Sequence, residues 1–275
     1  MKKMSRPAPH WPHSSSLILS VLAVGAALLL QAGLASGQSS VPLNPTSAKS
    51  YTFTQLDVPG SIFTEATAIN NANQIVGSYT DSANQGHGFV YDGSTFTTID
   101  FPGAVDTEAF GINDRGDVVG NFVSAPICSS SGCDSTAGGF LKSGASFNPI
   151  SVPGVVAIQA RGINNFGIIV GFAQSAADEG TSGFFDAADG FTLFSVPGAA
   201  LTEALAISPN HDQVVGLFDL VLYVQTYGFL GSGEGPFFTV NPPGSIFSEV
   251  DGIDDFGDMV GGFVRGGSHG FLFSQ

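Results

Sequence analysis

The sequence predicts an all-β fold, a five-bladed β-propeller of four-stranded blades, and three observations carry that expectation. One pattern recurs along nearly the whole chain: its copies begin at Pro59, Pro102, Pro153, Pro197 and Pro243, at spacings of 43, 51, 44 and 46 residues. Such a period marks propellers, solenoids and arrays. Each copy also divides into four segments of strand length parted by Pro, Gly, Asn and Asp, the complement of a propeller blade. Finally, the chain holds 37 Gly but only 11% charged residues, less than half the usual share of roughly 25%, which suits a turn-rich β protein. A β-helix is the competing architecture, but its repeats are shorter.

Ahead of the array lies a targeting segment. Lys2, Lys3 and Arg6 supply a basic start, Leu17 to Leu30 an apolar core, and Ala35-Ser36-Gly37 a small-residue cleavage site, the layout of a secretory signal peptide over residues 1–37. The strongly apolar part is short for a membrane span of about 20 residues. Residues 38–50, rich in Ser and Pro, read as a flexible linker, and 51–275 as the propeller. The expected product is secreted or periplasmic, soluble after signal cleavage, and monomeric. Loss of Lys2, Lys3 and Arg6 takes the net charge from −15 to −18. An acidic field of that size repels phosphate backbones and anionic membranes, so neither nucleic acid nor membrane is an expected partner.

Within each copy the first segment is Phe53–Val58, Phe96–Phe101, Phe147–Val152, Phe191–Val196 or Phe237–Pro242, closed by Pro-Gly. Proline has no N–H to donate and so ends the ladder there. The second segment, Glu65–Ile69, Glu108–Ile112, Gln159–Ile163, Glu203–Ile207 or Glu249–Ile253, carries small residues in alternation, such as Ala109 and Gly111. A turn rich in Asn, Asp and Gly then leads to the third segment, Ile75–Tyr79, Val118–Phe122, Ile168–Phe172, Val214–Phe218 or Met259–Phe263. These residue types supply positive φ and side-chain-to-backbone bonds, so a hairpin is expected. The fourth segment is a Gly-Phe strand around Phe89, Phe140, Phe184, Phe229 or Phe271.

Strands converge at a propeller's axis, so the segment with small residues is placed innermost. From it the chain meanders outwards to the Phe-starting strand at the rim. The array then opens with a rim strand (51–58) and stops after a Gly-Phe strand (269–274). Their pairing is expected to close the ring and remove both exposed edges. Cys128 and Cys133, the only cysteines, lie in the insertion of the longest period and are expected to pair in an oxidising compartment. A redox or metal role lacks the C-x-x-C spacing or a nearby His.

This meander puts the Pro-Gly loops and the start of every inner strand on one face, where the copies differ most, and the Asn turns on the other. Rigid scaffolds place function on such loops. Glu65, Glu108, Glu203 and Glu249 recur at the inner-strand mouth, with Gln159 breaking the set beside Arg161. They read either as structural acceptors for the Pro-Gly crossovers or as a ring of acids for a ligand, and two of them as a glycosidase pair about 5 to 10 Å apart. Leu220, Leu222 and Tyr223 belong to a loop that is apolar where its siblings are polar, a candidate contact for a partner or ligand. His87 and His269 occupy matching positions but lack a third metal ligand, and the Asn113 and Asp254 turns lack the spacing of a calcium loop. Enzyme motifs are otherwise absent, so catalysis is not the leading expectation, and no metal or cofactor is expected.

The joined strings Phe-Thr-x-Ile-Asp-Phe-Pro-Gly, Thr-Glu-Ala-x-Gly-Ile-Asn, Val-Val-Gly-x-Phe and His-Gly-Phe, over residues 51–275, resemble the HAF family of bacterial extracellular repeat proteins. Only His87 and His269 keep the His of the last string. The resemblance implies an exported repeat protein and brings no catalytic residues. The leading expectation is a binding or interaction module for a polysaccharide or a cell-envelope component. A glycoside-active enzyme using inner carboxylates, or a purely structural surface protein, stands as the alternative.

Overall fold

The computed structural model describes residues 54–124, 127–129, 132–134, 137–175, 180–188, 190–221, 225–232 and 235–274. The expected signal peptide, the linker and Phe53 lie outside them. The described residues are all β, without a helix. In the first repeat β1 (Phe63–Ile69), β2 (Ile75–Thr80), β3 (Gly86–Tyr91) and β4 (Phe96–Ile99) form an antiparallel meander. The second contains β5 (Ala104–Ile112), β6 (Val118–Ser124), the small hairpin β7 (Ile127–Ser129) and β8 (Gly132–Asp134), then β9 (Ala137–Ser143) and β10 (Ser146–Ile150). The third runs through β11 (Val155–Ile163), β12 (Ile169–Ser175), β13 (Thr181–Ala187) and β14 (Gly190–Phe194). The fourth has β15 (Leu201–Ile207), β16 (Val214–Asp219), β17 (Thr226–Gly231) and β18 (Phe238–Val240), and the fifth β19 (Phe247–Ile253), β20 (Met259–Val264) and β21 (Ser268–Phe273). The order inferred from small residues is thus the observed one in the first four repeats, and the fifth holds its first three strands.

Two close approaches explain the glycines. A Cβ on Gly171 would run into the carbonyl oxygen of Gln159 and come 2.9 Å from the Phe184 ring; Gly77, Gly120, Gly216 and Gly261 stand in the same relation to the Glu and Phe of their own repeats. That Phe is the centre of its sheet: Phe89, Phe140, Phe184 and Phe229 are fully buried, and each meets the first Phe of its rim segment, as Phe184 and Phe191 do at 4.9 Å. Between inner strands the margin is as small. A Cβ on Gly111 would lie 3.0 Å from the carbonyl of Arg161 and 3.2 Å from the Cα of Gly162.

Neighbouring repeats pack through one recurring seam. Val76, Val119, Val170 and Val215 on the forward side are fully buried, as are Ala109, Ala160, Ala204 and Val250 on the receiving side. Burying each Val contributes about 1.5–3 kcal/mol. The expected closure of the ring is not present. Residues 54–58 form no strand, and the recorded ladder of β21 is with β20. With no repeat following it, the fifth keeps its forward side uncovered, Val260 at 50% and Leu272 at 69% exposure, while Ile69 on the receiving side of the first is 61% exposed.

The Asn turns add a second tie between repeats. Asn70 Oδ1 accepts from the amides of Ala72 and Gln74, which holds its own turn, while its Nδ2 donates to the carbonyl of Asn113 at 2.9 Å. Asn113 and Asn164 do the same towards Asn164 and His211. A second polar residue of each turn, the next one or, past Pro209, the one after, extends the chain of contacts: Asn71 to Asp114, Asp114 with Asn165, Asn165 to Asn210, and Asn210 to Asp255. Turn chemistry alone was expected here; the structure shows a girdle through all five repeats.

Candidate functional site

At the Pro-Gly end of the inner strands, the crossover amides of Val58, Phe101 and Val196 donate to the hydroxyls of Thr64, Thr107 and Thr202 at 3.0–3.2 Å. At Glu65, Glu108 and Glu203 the residue before the glutamate thus accepts a crossover amide, while Ser248, before Glu249, accepts from the amide of Gly228. The carboxylates sit in a different setting. Burial, with repulsion from Asp251 and Glu203, pushes Glu249 up to about 7. Burial also brings Glu203 to about 7, with Arg161 pulling it down and Asp219 pushing it up. Arg161 is the cation of this cluster: burial lowers its pKa, and Glu203, Glu108, Glu65 and Asp251 oppose that shift. Its guanidinium lies 4.2 Å from the Phe110 ring and 5.5 Å from that of Phe172, a cation held over aromatic faces.

The inner strands reach Arg161 through a shared irregularity. Each carries a β-bulge at the residue between its two small positions, namely Thr67, Phe110, Arg161, Leu205 and Asp251. A bulge re-aims the side chain it carries, and all five line one axial cavity of about 290 Å³. Its wall is completed by Ile69, Ile112, Ile163, Ile207 and Ile253, and its rim by Asn70, Asn71, Asn113, Asp114 and Asn165. Burial raises the pKa of Asp251 inside it, whereas hydrogen bonds from Asn71 hold Asp114 below the usual carboxylate range at the rim. An apolar wall with a few convergent polar groups is the usual make-up of a small-molecule site.

Glu65, Glu108 and Glu203 thus act electrostatically on Arg161, and Glu203 on Glu249. Leu220 is described and 42% exposed; Leu222 and Tyr223 lie outside the described residues. The cavity lies at the Asn end, the face that sequence variation did not favour. Its signal in the sequence is the one variable position inside an otherwise uniform inner strand. His87 is engaged by Asp100 at 2.7 Å and stacks on Tyr79, and His269 stacks on Phe263. Among the described residues no group of three His, Cys, Asp or Glu is placed to hold a metal. Cys128 and Cys133 are partners in the β7–β8 register, within the usual Cα reach of a disulfide.

No family model matches the chain, and no curated protein does. Among solved structures, it is similar to a fungal lectin, that of Aleuria aurantia, described as a six-bladed β-propeller with a novel mode of fucose recognition. The identity is 12%, over 77% of this chain and 78% of that one, with a TM-score of 0.42. It is also similar to a lectin of Burkholderia pseudomallei, at 14% identity over 79% and 71% of the two chains, with a TM-score of 0.39. Scores of this size do not establish a shared architecture.

Proposed function

We propose that this chain is an exported five-bladed β-propeller of the HAF type that binds glycans in its axial cavity. The observation that carries the reading is that cavity itself, walled by one isoleucine from each inner strand and rimmed by side-chain amides. A sugar ring offers both an apolar face and hydroxyls; the isoleucines answer the first, and Thr67, Arg161 and Asp251 the second. Five bladed repeats are supported by five inner strands around one cavity.

A glycan-array measurement on the protein tests the reading, with Leu205→Trp as the variant that fills the cavity. Binding by the native protein and its loss in Leu205→Trp, at an unchanged β-sheet spectrum, is the expected outcome. Equal binding by both would remove the cavity from the function.

A second reading, glycoside cleavage, is favoured by one observation. Glu203 and Glu249 are pushed up to about 7, as a general acid requires. Product release from a bound oligosaccharide, abolished by Glu203→Gln or Glu249→Gln, is its signature.

A further inference from the structure

The side chains at the tips of the Asn turns differ in kind from repeat to repeat. The residue after each girdle residue is Ala72, Arg115, Phe166, His211 or Phe256. In four of these turns its amide donates to the side-chain oxygen of the turn's first residue, at 2.8–3.0 Å, so the tips share one geometry. Phe166 is 69% and Phe256 86% exposed, and neither joins a core cluster. The His211 side chain between them is 55% exposed. Hydrogen bonds make these three tips contiguous. Asn164 Nδ2 donates to the carbonyl of His211 and Asn165 Nδ2 to Asn210 Oδ1, each at 3.0 Å, while His211 Nδ1 stands 3.5 Å from the carboxylate of Asp255. The arc borders the axial cavity, because Asn165 and Pro209 line it.

Two phenyl rings stand in solvent on turns whose conformation needs neither, beside a cavity with an apolar wall, and exposed apolar surface of this kind marks an interaction site. A sugar ring suits it: its C–H face packs on an aromatic ring while its hydroxyls stay at the edge, where Asn210 and Asp255 lie between the two phenylalanines. Phe166 and Phe256 are two repeats apart, which one sugar ring cannot cover. Asp254, Asp255 and Asp258 of the fifth turn disfavour a polyanion. We propose, on the reading that the cavity binds glycans, that Phe166, His211 and Phe256 form an outer arc for the sugar units that follow the one in the cavity, so that the ligand is an uncharged oligosaccharide of several units. The rest of the mouth carries Ala72 and Arg115, and Arg115 is already engaged by Asp117 and by the carbonyl of Asn165. The oligosaccharide therefore leaves the cavity over the third to fifth repeats.

Calorimetric titration of the full chain tests this with four uncharged series, β-1,4-glucan, β-1,3-glucan, β-1,4-mannan and β-1,4-xylan, each at lengths of one to six units. In at least one series the affinity is expected to rise about tenfold or more between one unit and four. The Phe166→Ala, Phe256→Ala double variant is expected to lose that gain and to keep the native affinity for the single sugar, whereas Leu205→Trp weakens binding at every length. Phe238→Ala, a ring 59% exposed on the rim strand β18, is expected to change neither. Native affinity that does not grow with length, or a gain that survives in the double variant, would overturn the arc and leave glycan binding in the cavity standing. Binding of no series by the native protein would remove both.

Discussion

Asn210 donates both its backbone amide, at 2.7 Å, and its side-chain amide, at 2.6 Å, to the carboxylate of Asp255 one repeat further along. This two-pronged clip fastens the fifth repeat to the fourth across a turn that needs only one polar residue for its own conformation.

Asp255→Ala should therefore loosen the last repeat first. A hydrogen bond to a charged group is worth about 1.5–3 kcal/mol, and exposure of this pair places the loss at the lower end. Hydrogen-exchange protection is expected to fall in β19 to β21 while β11 and β12 keep theirs. A uniform change along the chain would show that the girdle does not act seam by seam.

The stability should fall as the solution becomes alkaline. Glu203 and Glu249 have folded values raised to about 7 from 4.5, so they favour the folded state below their unfolded values and this contribution is lost as pH rises through 7. Asp114 and Asp117 have lowered values, and their contribution is lost as pH falls through the acid range. Thermal melts should give a higher Tm near pH 5.5 than near pH 8.5, and Glu203→Gln with Glu249→Gln should flatten that slope.

Two glycine substitutions should separate sharply. Gly216→Ala forces a methyl into the carbonyl of Glu203 and to 3.0 Å from the Phe229 ring, an overpacking that costs about 1–3 kcal/mol. Gly270→Ala meets its nearest atom at 3.8 Å and should leave the denaturant midpoint within about 0.5 kcal/mol of the native one. Similar midpoints for the two would contradict the packing described for the central glycines.

Cys128 and Cys133 should be found joined after oxidative expression, as a mass lower by two hydrogens that dithiothreitol restores. So short a loop confines little chain, and the Cys128→Ser, Cys133→Ser variant should lose at most ~2 kcal/mol.

The meander was legible because Ala109 and Gly111, and their counterparts, announce a strand that must sit where others crowd it. The cavity was not. Thr67, Phe110, Arg161, Leu205 and Asp251 share no chemistry, and only the bulge, a backbone property, turns them to one axis. The girdle has its own signal in the sequence. Asn71, Asp114, Asn165, Asn210 and Asp255 hold equivalent places, yet their partners lie 43 to 51 residues away, beyond any local turn rule. The recurrence of the glutamates was legible, but not which of them titrate late, because burial differs among identical letters.

The seam with Val76, Val119, Val170 or Val215 on one side and a small or branched residue on the other is the same joint cut four times. A unit copied in tandem, such as residues 153–196, would arrive with both of its joints already fitted to any neighbour. The chain can therefore gain or lose a unit within the run of formed seams without inventing an interface.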